Sequence, residues 1–240
     1  MICLVDERLP AKAEENLLRL GFSVIKMQKS ERLPEATASH PDMLCFFHEK
    51  KLISSAEYCD EAIHVFSELA CSASDLNIEL TADVQKNEYP YDAIFNSLVI
   101  GEHIFYKEDS VCSAIKRYAS ERGLSPHHVR QGYPACTVLA LDERTAITAD
   151  AGMGRVMRSV GIDVTEINAG NISLPPHEYG FIGGASGVYD KTVYFIGNLD
   201  THPDSKIIKD KIDSLGYKCI SLCDGPLIDL GRLIFIEDDA

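Results

Sequence analysis

Apolar and polar positions along the chain fall into one recurring order. A stretch with apolar residues three and four apart is followed by a glycine, a Val/Ile-rich run of strand length, a polar gap, and two more short apolar runs. The pattern reads AEENLLRLGFSVIKM over 13–27, AIKRYASERGLSPHHV over 114–129, GRVMRSVGIDVTEI over 154–167 and KIIKDKIDSLGYKCISL over 206–222, with a degenerate copy, EAIHVFSELACSASDLNIEL, over 61–80. A repeat of about fifty residues describes supersecondary units that bury their apolar faces only against neighbours.

The third unit is punctuated most clearly. CTVLAL from Cys136 and TAITA from Thr145 flank Asp142, Glu143 and Arg144, a hairpin pattern. Asp150 offers an N-cap for a helix over 151–160, Gly161 suits the left-handed residue that ends it, and IDVTEI follows as a third strand. The same reading places further hairpins in DMLCFF with KLIS (from Asp42), in 93–106, in FIGG with TVYFIG (from Phe181) and in 227–237. Helix starts are signalled at Asp6 and Pro10, Ser54 and Ser55, Asp109 and Ser110, and Pro203 and Asp204.

The chain begins with a helix unit and ends with a hairpin, so MICLVDE is expected to pair with LIFIED and remove an exposed sheet edge. The fold class predicted is α/β: a five-bladed α/β propeller of ββαβ units with pseudo-fivefold symmetry, one domain over 1–240. An open α/β solenoid is the rival, but its ends need polar caps where this chain has apolar strands.

Composition narrows the function classes. With 45% hydrophobic and 25% charged residues and no apolar run of membrane-spanning length, no membrane association is expected. The opening MICLVDERLP has neither a basic n-region nor a long apolar core, which makes the cytoplasm the expected location. A formal charge of −14 disfavours nucleic acid, and is compatible with a small cationic ligand in an acidic pocket and equally with a solvated acidic surface that only confers solubility. The eight cysteines sit mostly in apolar patterns, the mark of reduced buried thiols. Cys219 and Cys223 have no second Cys or His pair at zinc spacing, so neither a metal site nor a cofactor is expected.

Five ββαβ units in this order resemble the pentein superfamily of guanidine-modifying enzymes, which includes arginine deiminase, dimethylarginine dimethylaminohydrolase, agmatine deiminase and glycine amidinotransferase. The resemblance spans essentially the whole chain as architecture. His40-Pro41-Asp42 before MLCFF is similar to the first-blade Pro-Asp-strand of the hydrolases, whose acidic side chain helps to bind the guanidinium, and CDGPLIDLGRLIFI to their final Asp-Gly-strand. YGFIGGASG, Asp200-Thr201-His202 and the terminal Leu-x-Asp-x-Gly resemble an uncharacterised bacterial branch. In the hydrolases a nucleophilic cysteine lies about five residues after the Asp-Gly aspartate. Asp229 occupies that place here, and Ala135 and Cys136 stand where the catalytic histidine opens the middle-blade strand. The resemblance therefore implies the fold without the usual Cys/His pair.

In such a propeller the strand starts converge on a central channel. Asp42, Asp92, Gln131 with Cys136, Gly183 to Ser186 (Gly184 and Ser186 in particular) and Asp229 occupy these places and form the expected binding set. Asp229 interrupts an apolar run between Ile228 and Leu230, and reads as a base, a cation clamp, a metal ligand with Asp42 and Asp92, or a solvated edge residue. GGASG meets neither nucleotide fingerprint and reads as an anion nest or a tight backbone crossing. Cys136 is either a core thiol or a displaced nucleophile paired with His177 or His202, and Asp150 reads as a cap. Three functions remain open. The first is a binder of a cationic guanidino or amino-acid-like ligand without thiol chemistry; the second is an active hydrolase or transferase on a guanidino carbon–nitrogen bond. The third is a non-catalytic interaction protein, as in a ribosome anti-association factor of the same fold.

Overall fold

In the computed structural model, which describes residues 1–239, the chain forms a mixed α/β fold of five three-stranded sheets and one two-stranded sheet. Each three-stranded sheet is built alike: two antiparallel strands, then a helical crossover to a third strand parallel to the second. In the clearest case Val138–Ala140 pairs antiparallel with Thr145–Thr148, the helix Ala151–Ser159 crosses over, and Asp163–Glu166 pairs parallel. Asp150 caps that helix, its Oδ1 accepting from the Met153 amide at 2.8 Å, and Gly161 follows it at φ 89°, a conformation that costs a glycine little.

The first sheet joins the two ends of the chain. Ile234–Ile236 pairs antiparallel with Ile2–Asp6, so that Ile2 faces Ile236, and Ser23–Met27 completes the sheet on the other side. Apolar packing follows the same order. One cluster joins Ile2 and Ile25 to Leu44 and Leu52, another Phe46 and Ile53 to Ile104 and Ile115, and a third Phe105 to Met153 and Met157. A fourth joins Leu139 and Ile147 to Phe195 and Ile208, and the fifth brings Tyr194, Ile196 and Leu222 back onto Val5 and Leu17. Every unit thus shares a core with the next, which is how amphipathic repeats bury faces they cannot bury alone.

Several boundaries differ from the sequence reading, for local reasons. Pro41–Leu44 and Pro134–Thr137 are single helical turns ahead of their strands, because a proline at the first helical position has its φ preset and lacks the amide a strand ladder needs. Asp42 and Cys136 therefore sit on helical turns, not at strand starts. Residues 182–185 are turn, and the fourth hairpin is Ser186–Tyr189 with Thr192–Phe195. Residues 227–237 do not fold back on themselves: Leu227–Ile228 pairs parallel with Ile172–Ser173, and Ile234–Ile236 pairs with the first strand. Alternating polarity cannot tell a hairpin from two strands with separate partners. No described helix is long and apolar enough to cross a membrane, and all eight cysteines are free, five of them buried.

Candidate ligand site and buried donor cluster

The two proline-led turns aim at each other. Cys136 Sγ donates to Asp42 Oδ2 at 2.9 Å and accepts from Asn96 Nδ2 at 3.2 Å, and all three residues are buried. The Asn96 Oδ1 holds the amide of Ala135 at 2.8 Å, which fixes the turn carrying the thiol. Asp229 reaches the same place from the last segment of the chain. Its Oδ2 accepts from the Phe181 amide at 2.8 Å and its Oδ1 from Gly231 at 3.1 Å. A side chain added at Gly180 or Gly184 would collide with this carboxylate, so the glycines of YGFIGGASG serve close approach. The crossing is locked by the Gly184 amide on Cys136 O and by the Leu230 and Arg232 amides on Gly184 O.

His40 completes the cluster. It precedes the first proline-led turn, is 1% exposed, and neither ring nitrogen has a hydrogen-bond partner. One nitrogen lies 3.9 Å from Asp229 Oδ1 and the other 3.9 Å from Asp6 Oδ2, while Asp6 is itself clamped by Arg8 at 2.6 Å. The donor atoms of His40, Cys136 and Asp229 all lie within 4.8 Å of one another.

These three residues line a cavity of about 190 Å³, shared with Asp92, Tyr133, His177, Phe181, Leu174 and Met43 among others. Asp92 accepts the Tyr133 hydroxyl at 2.8 Å through one oxygen, and its other oxygen is buried without a partner, as is Asp42 Oδ1. A second cavity, of about 240 Å³, is lined by Asp42 together with Arg232, Phe46, Phe95 and Phe235 among others.

Burial dominates the electrostatics. It pushes the Asp229 carboxyl up to about 7, with the Asp42 charge adding to the effect. Burial likewise pushes Asp42 up to about 6, against the Cys136 hydrogen bond and the Arg232 charge, and raises Asp92. The Cys136 thiol is held far above its ordinary value by burial and then by the charges of Asp42 and Asp229, and the His40 imidazole is pushed down to about 3 by burial. Empty, the site favours a neutral thiol, a neutral imidazole and partly protonated carboxyls. A cation reverses this balance by stabilising the carboxylates.

Of the residues expected to share a site, Asp42 and Cys136 are hydrogen-bonded, Asp92, Cys136 and Asp229 line one cavity, and Gly184 abuts Asp229. Exposed His177 contributes to the cavity wall. Three do not join them. Gln131 turns outward, its amide donating to Asp150 at 3.1 Å, because the helical turn after it and not the residue itself enters the centre. Ser186 is buried with its hydroxyl on Ile182 O at 2.7 Å, a backbone tie within its turn. His202 sits before the helix Ser205–Ser214, its Nδ1 accepting from the Asp204 amide at 3.1 Å, so it is not a partner for Cys136. Asp229 is 1% exposed, which removes the solvated-edge reading. The sequence reading passed over His40, Asp6, Asn96, Tyr133 and Arg232 as site residues; the one local signal was a histidine ahead of a proline-led turn that carries an aspartate.

A family model described as "Family of unknown function (DUF6873)" matches residues 4–234. No curated protein matches the chain in sequence. Among solved structures, dimethylarginine dimethylaminohydrolase (DDAH) from Pseudomonas aeruginosa, a C249S mutant complexed with citrulline, is similar at a TM-score of 0.57 and 12% identity, with 92% of this chain and 91% of that chain covered. Agmatine deiminase of C. jejuni follows at 0.56 and 7% identity, with 92% and 87% covered. SxtG, an amidinotransferase from Microseira wollei, gives 0.52 and 11%, with 92% and 87% covered. At these identities the likeness concerns the fold, and that fold is the pentein fold.

Proposed function

The chain belongs to the DUF6873 family, and from that footing we propose that it binds a small cationic ligand, guanidino-bearing or amino-acid-like, in the acidic cavity where its repeats meet. The observation that carries this reading is the pair of buried acceptors left over at the cavity, one oxygen of Asp92 and the one basic nitrogen of His40, beside the Asp229 carboxylate. Each unsatisfied buried polar group costs about 1–3 kcal/mol, a cost that a partner with several N–H donors would relieve. A guanidinium has such a planar donor set. The fold relatives support the same chemistry, since agmatine deiminase and dimethylarginine dimethylaminohydrolase are named for guanidino substrates.

The finer architecture proposed with this function is a single domain of five blades around one axis. The identical strand order of the five sheets, the pairing of the first and last strands and the chain of shared cores support it. The thiol hydrolase chemistry is not carried over. Cys136 lies where its proton is held by Asp42, and burial disfavours the thiolate that attack on a guanidinium carbon requires. A second reading, a hydrolase or transferase using Cys136, draws on the approach of His40 and Asp229 to that thiol.

Differential scanning fluorimetry of chelator-treated protein against arginine, agmatine, methylarginines and creatine tests the proposal. A ligand at 100 times its Kd stabilises the fold by about 2.7 kcal/mol, a rise in Tm of several degrees. A rise with at least one of these compounds is expected; no rise with any of them overturns the binding reading. Release of ammonia, citrulline or urea that disappears in Cys136→Ala would favour the second.

A further inference from the structure

We propose that His40, Cys136 and Asp229 form a zinc-type metal site that opens into the central cavity. The three side chains come from three distant parts of the chain and supply nitrogen, sulfur and oxygen. That mixed donor set suits a borderline-soft ion and not magnesium or calcium, which take oxygen alone. Bond lengths of about 2.0–2.3 Å place tetrahedral ligand atoms roughly 3.3–3.8 Å apart. The separation of His40 Nδ1 and Asp229 Oδ1, 3.9 Å, is already near that edge, and the whole triad, within 4.8 Å, needs only a slight contraction.

Four features of the surroundings point to the same use. His40 is buried and its nitrogens lack hydrogen-bond partners, an arrangement costly for an imidazole with no other task. Its second nitrogen faces the Asp6 carboxylate, fixed by Arg8, at 3.9 Å, so the slight movement that brings the ring onto a metal would complete the order carboxylate, histidine, metal that orients a ligating ring. Asp229 is held by the Phe181 and Gly231 amides and packed on glycine, so its reach is preset. All three donors line the 190 Å³ cavity, which leaves a fourth position facing Asp92, Tyr133 and His177. Three protein ligands and one open position are the pattern of a reactive zinc centre and not of a closed structural one.

Charge balances. On binding, the Cys136 S–H bond breaks and a sulfur–metal bond forms, the proton passing to Asp42 Oδ2, which already accepts it at 2.9 Å, or to water, and any proton on Asp229 is released to water as its oxygen takes the metal. Thiolate and carboxylate then offset the divalent charge, and Asp92 still faces the cavity as an anion-bearing wall for a cationic ligand. The site thus goes beyond the ligand reading and stands or falls separately from it.

Titration of chelator-treated protein with Co2+ alone, without organic ligand, tests the site. One equivalent is expected to bind with a sulfur-to-cobalt charge-transfer band in the near ultraviolet and intense visible bands of a four-coordinate ion. Zn2+ should displace it. Cys136→Ser should abolish the charge-transfer band, and His40→Ala and Asp229→Asn should weaken affinity by roughly 100-fold. Cys71→Ser, at the one exposed thiol, should leave the band intact. Far-ultraviolet circular dichroism of each variant checks folding, and Asp6→Asn, which keeps all three donors, should still bind, about tenfold more weakly. No stoichiometric uptake by wild-type protein overturns the proposal, as does a charge-transfer band that survives Cys136→Ser or an affinity unchanged in folded His40→Ala. Because the scanning-fluorimetry panel uses chelated protein and this titration uses no organic ligand, either reading can fail alone.

Discussion

Two histidines of this protein are equally buried, each 1% exposed, and they illustrate different uses of burial. His202 is a joint. Its Nδ1 takes the amide of Asp204, whose carboxylate in turn holds Asn168 by backbone and side chain, so the loop is tied down where the last helix begins. His40 ties nothing. Both of its nitrogens stop 3.9 Å short of a carboxylate, and the ring lines a cavity already walled by Asp92, Asp229 and Cys136. His202 Nε2 also lacks a partner, so the contrast rests on one nitrogen: a buried ring tied to the backbone through one nitrogen helps to hold a fold, whereas one open at both nitrogens over a cavity carries a cost that binding can offset.

The largest effect expected is at the cradle beneath the open site. Gly184→Ala puts a methyl group into the Asp229 carboxylate, and overpacking of this kind costs about 1–3 kcal/mol before the lost amide contacts are counted. Chemical denaturation should show that loss, and both arginine-type ligands and Co2+ should cease to bind. Next comes the direct contrast of the two histidines. His40→Leu removes unsatisfied polar atoms, so the empty protein should be as stable as wild type or more so while ligand and Co2+ affinity collapse. Equal loss of stability in His40→Leu and His202→Leu would erase the distinction.

Acidity sharpens the contrast further. Asp229 and Asp42 titrate near 7 and 6 in the fold, above the ordinary aspartate value of 3.8. A carboxyl raised in this way favours folding below its unfolded value and loses that contribution as pH rises through its folded one. His40 acts in the opposite sense, since a base lowered by burial opposes folding as pH falls from 6.5 toward 3. Above pH 6.5 Asp229 dominates, so Tm of the chelated protein should fall through about pH 7, and Asp229→Asn should flatten that step. Ligand-induced stabilisation should grow over the same interval as the carboxylates ionise. The smallest effect is His202→Leu, about 1 kcal/mol of stability from one lost hydrogen bond, with binding unchanged.

Much of this architecture was legible in the chain because helix and strand periods and their punctuation are local properties. The helix Ala151–Ser159 with its Asp150 cap and Gly161 stop was read directly, as was the meeting of the first and last strands. The site was legible only where one residue broke a pattern. Asp229 stood out in an apolar run, and Cys136 lay beside a family position, but Gln131 and Ser186 had the right places and the wrong directions. A one-turn helix after a proline rotates the next side chains by about 100° each, which a strand reading cannot anticipate. His40 was hidden for a further reason: its role comes from Asp6, Cys136 and Asp229, residues far apart in sequence that only the packed units bring together.

Isothermal titration calorimetry of chelator-treated protein at pH 8 tests the central claim most directly, with arginine, agmatine and methylarginine as cations and citrulline as the counterpart whose ureido group carries no charge. The account predicts 1:1 binding of at least one cation, lost in Asp92→Asn and His40→Leu, kept in His202→Leu, and absent for citrulline. Heat from none of the cations, or binding of citrulline as tight as that of the best cation, would contradict it.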